Sequence, residues 1–236
     1  MRKLLNKLER KFGNLAIPNL MTIIVFGMAL VYLINFFTNP DYTFNLSSLI
    51  YFDKELILHG QVWRILTFVF EPPDSSPLWI IFALYLYWLI GSALEQNWGS
   101  FRFNVYYLVG MIGTIISGLI TGYATNLYLN MSLFLAFAML YPNFELMLFF
   151  FIPVKIKFLA WLDVALMFVL MFFVGWAGRI AILVSFLNFL LFFWSDLIGS
   201  AKMLFRRMRM KSKKNQNSEK SWKKHWWNDK DNDPFH

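Results

Sequence analysis

The chain has 236 residues, of which 58% are hydrophobic, 20% aromatic and only 15% charged, with a formal net charge of +8. A soluble domain carries about a quarter charged residues; this balance, with a mean hydropathy of +0.50, excludes a disordered chain, a collagen and a soluble nucleic-acid-binding domain, and points to a polytopic membrane protein. The absence of cysteine excludes a disulfide scaffold, an iron–sulfur cluster, a thiolate zinc site and a cysteine nucleophile.

Residues 1–17 read as a basic amphipathic helix. Leu4, Leu5, Leu8 and Phe12 share one helical face, Arg2, Lys3, Lys7, Arg10 and Lys11 lie elsewhere, and Gly13-Asn14 stops the helix. Such a helix is expected to lie on the inner leaflet against anionic lipid headgroups, the alternative being a solvated helix packed on the domain. Six apolar runs follow, near 18–37, 78–97, 103–124, 126–142, 158–175 and 180–200, each read as a membrane-crossing helix. Pro18 stands where the first should start, a position that tolerates a missing N–H. No cleavable signal or organelle presequence is read ahead of it, so a bacterial cytoplasmic membrane is the expected location.

The stretch 38–77 is unusual. It carries Leu49, Ile50, Tyr51, Phe52, Leu56, Ile57 and Leu58, then Ile65, Leu66, Phe68, Val69 and Phe70, too many apolar residues for a solvated loop. Asp53, Lys54, Glu55, Gly60, Gln61 and Arg64 break it too often for a span. A loop half-sunk in the outer leaflet and partly buried against protein satisfies both facts. The third run carries Gly110, Gly113 and Gly118 beside Thr114, Ser117 and Thr121. Small residues let another backbone approach closely, so this helix is expected at the centre of the bundle.

From Lys202 to Lys230 eleven basic residues face four acidic ones, Glu219, Asp229, Asp231 and Asp233. Residues 201–236 therefore read as a basic, disordered tail whose Trp222, Trp226 and Trp227 suit anionic headgroups rather than nucleic acid. Basic flanks stay on the cytoplasmic side, which places both termini inside and makes the number of spans even. The connections at 98–102 and 143–157 are then cytoplasmic, and those at 38–77 and 176–179 external. His225 and His236 have no metal-ligand spacing, no HExxH occurs, and neither a metal nor a cofactor is expected. Glu145, Asp163 and Asp196 are read as anchors near inner interfaces or as partners for Lys155, Lys157 or Lys202. No repeat of the kind transporters carry is read.

Two motifs point to a family. Gly60-Gln61-Val62-Trp63-Arg64-Ile65-Leu66-Thr67 resembles the Trp-Arg signature in the first loop of the rhomboid superfamily. Gly91-Ser92-Ala93-Leu94-Glu95-Gln96-Asn97-Trp98-Gly99 resembles the glycine–glutamate–glycine pattern that closes the second rhomboid helix. Order, spacing, the glycine-bearing third helix and the count of six resemble the superfamily over residues 18–200. The resemblance implies a rhomboid-like bundle in which Trp63 and Arg64 anchor the sunken loop. It implies that Glu95 accepts bonds from nearby backbone or from Arg102.

For activity, the resemblance implies a Ser–His dyad inside the bilayer, with a histidine and an asparagine on the second helix near the oxyanion. In this sequence Ser132 falls at the nucleophile, but its flanking glycines are replaced by Asn130 and Leu133, and Asn188 stands in the histidine's place. The second-helix positions fall near Trp79 and Ala83. An amide cannot take a serine proton, and His59, in the external loop, is the one histidine outside the tail. The expectation is thus a pseudoprotease, comparable with derlins, that binds client transmembrane helices between its second and fifth helices without cleaving them. A divergent serine protease using Ser132 and a structural or lipid-organising protein are the alternatives.

Overall fold

The computed structural model describes residues 2–38, 45–73, 76–148 and 152–194. The tail, Asp196, Lys202, His225, His236 and the end of the sixth expected span lie outside the described residues. The chain divides into two units, Met1–Phe192 and Phe193–His236, and the first holds nearly all of the described elements.

Long apolar runs become helices because a backbone in hydrocarbon must satisfy its own hydrogen bonds. After α1 (Arg2–Phe12) come α2 (Leu20–Thr38), three short helices of the first loop, α3 (Ser47–Ile50), α4 (Lys54–Leu58) and α5 (Arg64–Thr67), then α6 (Pro77–Trp98), α7 (Ser100–Thr121), α8 (Leu127–Leu140) and α9 (Ile156–Phe173). The last, α10, runs over Trp176–Trp194. Five of these, α2, α6, α7, α9 and α10, are long and apolar enough to cross a membrane. Their outward faces carry Phe26, Leu33, Ile81, Phe168, Phe172 and Leu187, exposed apolar side chains of the kind that face lipid in a membrane helix.

The fourth expected span differs. Instead of 126–142, α8 is a helix of 14 residues, about 21 Å long at 1.5 Å per residue, against about 30 Å of hydrocarbon. Its Leu129, Asn130, Ser132, Leu133, Leu135, Ala136 and Phe137 are buried. Enclosure by other helices removes the need to span, because non-helical backbone at membrane depth is tolerated inside protein.

Glycines set the close contacts. Gly99 joins α6 to α7 with no intervening loop at φ +84, a conformation that only glycine adopts without strain. A Cβ on Gly91 of α6 would strike Met21 of α2. On α7, Gly110 abuts Leu129 and Asn188, Gly113 abuts Val184, and Gly118 abuts Phe52 and Ala124. α7 therefore packs on α8, α10 and the first loop, in which Phe52 and Phe68 meet edge to face at 5.9 Å.

Two small sheets complete the unit. β1 (Phe52–Asp53) pairs antiparallel with β2 (Tyr123–Ala124), tying the first loop to the end of α7. β3 (Glu145–Leu148) pairs antiparallel with β4 (Ile152–Lys155), with Glu145 opposite Lys155. The connection expected over 143–157 thus largely forms an antiparallel strand pair, in which the apolar residues Leu146, Met147 and Leu148 lie opposite Val154, Pro153 and Ile152 while Leu146 packs into the bundle. The connection expected at 176–179 shrinks to Val174 and Gly175, since α10 starts at Trp176.

Candidate functional site

Ser132 lies near the middle of α8 and is fully buried, at 0% exposure. Asn188 of α10 donates its Nδ2–H to Ser132 Oγ at 3.2 Å. The two positions that sequence reasoning aligned with the dyad are therefore neighbours. Tyr106 of α7 completes the group: its hydroxyl donates to the Ser132 carbonyl at 3.0 Å and shares a hydrogen bond with Ser132 Oγ at 2.5 Å. Sequence reasoning missed Tyr106. The available signal was a tyrosine inside an apolar run, whose hydroxyl needs a partner when buried.

The chemistry of this group is limited. A phenol and an amide are not bases able to take a serine proton near neutrality. Ser132 Oγ is engaged by both neighbours, and Leu133 beside it is buried as well. His59 is held elsewhere, its Nδ1 2.7 Å from the Glu55 carbonyl at the end of α4. Trp79 lines a groove between α6 and β3, and Ala83 is half-buried on α6.

The two family-like motifs organise structure. Arg64 is buried, at 2% exposure, and its guanidinium donates to Gln61 Oε1 at 2.7 Å, the Tyr51 carbonyl at 2.9 Å and the Ser48 carbonyl at 2.9 Å. Nε, Nη1 and Nη2 each take one acceptor, so the planar fork reaches three separate points of the loop, whereas an ammonium concentrates its donors on one nitrogen. Trp63 donates its indole N–H to the Leu49 carbonyl at 3.1 Å while its ring stays exposed. Together they hold α3 against α5.

Glu95, near the C-terminal end of α6, accepts the Asn19 backbone N–H at 2.8 Å and the Ser100 hydroxyl at 2.6 Å. The alternative partner, Arg102, instead pairs with Glu9 at 3.0 Å and donates to Asn6 at 3.2 Å, docking α1 on α7. Leu5 and Leu8 of α1 are half-buried in that contact region, whereas Phe12 stays exposed.

Two cavities flank α6. One, of about 360 Å³, lies between α6, α8 and α9, walled by Phe82, Leu86, Leu162 and Leu166, with Asn130 and Asp163 as its polar members beside Tyr87. The other, of about 780 Å³, is the groove between α6 and β3. Asp163 is the eighth of the 18 residues of α9, about 10 Å along an axis of about 27 Å. Glu145 pairs with Lys155 at 3.8 Å across the hairpin.

These features define an all-α polytopic membrane protein with a small buried polar group at its centre. Comparisons with protein-family models, curated proteins and solved structures find no match.

Proposed function

We propose that the chain is a rhomboid-like pseudoprotease that binds transmembrane helices of client membrane proteins without cleaving them. One observation carries this reading: the Ser132 hydroxyl is fully buried and shared between Tyr106 and Asn188, and no base is in contact with it among the described residues. The arrangement fits a scaffold in which a nucleophile position persists after its proton acceptor is lost. In this reading a client helix docks at the cavity between α6 and α9, the second and fifth of the long apolar segments when α8 is counted. In this reading α8 is the fourth crossing, the first loop sinks into the outer leaflet on its Arg64 anchor, and α1 lies against anionic lipid inside. Both termini then face the cytoplasm of a bacterial cell.

Reconstitution tests the proposal. Full-length protein in vesicles is mixed with a fluorophore-labelled single-span peptide, and energy transfer is read together with peptide mass. Association with an intact peptide is the expected result. New peptide ends that disappear in Ser132→Ala would instead support the protease reading, and absence of association would support a structural or lipid-organising role.

A further inference from the structure

The cavity between α6, α8 and α9 holds polar groups that the fold itself does not use. Asn130 is 4% exposed, lines the cavity, and has no hydrogen-bond partner for either Nδ2 or Oδ1 among the described residues. Tyr87 approaches that amide from α6 without closing hydrogen-bond geometry. Asp163 Oδ2, contributed to the cavity by α9, is buried and equally unpartnered among the described residues. Buried polar groups are ordinarily paired, and an unpaired one costs about 1–3 kcal/mol. An ionisable side chain in the middle of a membrane helix points to a functional site.

Resting on the helix-binding proposal, we infer that this cavity receives a basic side chain, Lys or Arg, projected from the mid-membrane turn of a client helix, with Asp163 and Asn130 Oδ1 as its acceptors. Size selects a side chain rather than a helix. A membrane-crossing helix about 30 Å long and about 10–12 Å wide occupies about 2,400–3,400 Å³, several times the cavity's volume of about 360 Å³. The client backbone therefore stays outside, against α6 and α9. Depth argues against a lipid headgroup, because Asp163 stands partway along α9 rather than at an end. Charge selects a cation: a carboxylate in hydrocarbon is costly alone and compensated beside an ammonium or guanidinium. Phe82, Leu86, Leu162 and Leu166 cover the aliphatic stem.

The test uses full-length protein in phosphatidylcholine vesicles and three labelled Leu–Ala helices of about 20 residues, carrying Lys, Met or Glu at the centre. Energy transfer gives the affinity of each. The Lys helix is expected to bind about threefold to tenfold more tightly than the Met helix, the range that interhelical polar contacts supply in membranes, and the Glu helix more weakly than either. In Asp163→Asn the Lys-to-Met ratio is expected to fall to about one, and in Asn130→Leu to fall partway. Moving the Lys two turns toward the end of the helix should remove its advantage. If wild-type protein binds all three helices alike, helix binding survives and the selectivity assigned to Asp163 is wrong. If it binds none of them, the helix-binding reading fails and this inference with it.

Discussion

Glu95 accepts the backbone N–H of Asn19 at 2.8 Å, a contact that fastens the C-terminal end of α6 to the residue preceding α2. Asn19 has φ +54, an uncommon value for a residue other than glycine, and the carboxylate holds it there. The same Oε1 takes the Ser100 hydroxyl across the Gly99 joint, so one side chain ties three segments together. Glu95→Ala is predicted to cost about 2–3 kcal/mol, because it leaves a partly buried N–H unpaired. Glu95→Gln, which keeps the acceptor, is predicted to cost about 1 kcal/mol. Reversible unfolding in mixed micelles checks both values.

Arg64 is predicted to control the order of the first loop. Arg64→Lys cannot reach Gln61, Tyr51 and Ser48 together, and the loss is about 2–3 kcal/mol for hydrogen bonds to a charged donor. Hydrogen exchange should rise over residues 45–67 and stay unchanged over α7. Equal exchange in variant and wild type would mean that the loop is held by its other contacts, the β1–β2 pairing, the Trp63 indole and the Phe52–Phe68 packing.

The membrane-crossing segments were largely legible because apolar length is written directly in composition. The shortness of α8 was not, since a helix sheltered by neighbours and a helix crossing lipid look alike in hydropathy. Glu95 was marked by its motif, but its backbone partner at Asn19 carries no side-chain signal. Tyr106 hid among aromatic residues that ordinarily serve packing or interfaces. The β3–β4 pair hid in a stretch short enough to pass for a connection. Ser132 and Asn188 were marked only through the resemblance, because 56 residues separate them and no local pattern links them.

Crowding at Gly110 gives a sharper packing test. A methyl group there would meet the side chains of Leu129 and Asn188 from two different helices, so Gly110→Ala is predicted to destabilise by about 1–3 kcal/mol. Gly113→Ala meets Val184 alone and should cost less, about 1 kcal/mol. Thermal unfolding of the two variants should keep that order.

Tyr106 and Ser132 are predicted to be coupled as structural partners. A double-mutant cycle with Tyr106→Phe and Ser132→Ala should give about 0.5–1.5 kcal/mol of interaction energy in unfolding experiments. A value near zero would mean that the phenol is satisfied by the Ser132 carbonyl alone.

The reactivity of Ser132 tests the central claim most directly. Purified full-length protein is incubated with a fluorophosphonate probe, and covalent labelling is read by mass. A hydroxyl held by Tyr106 and Asn188 with no base in contact among the described residues is predicted to remain unlabelled, and Ser132→Ala to behave as the wild type. Stoichiometric labelling that vanishes in Ser132→Ala would contradict the account.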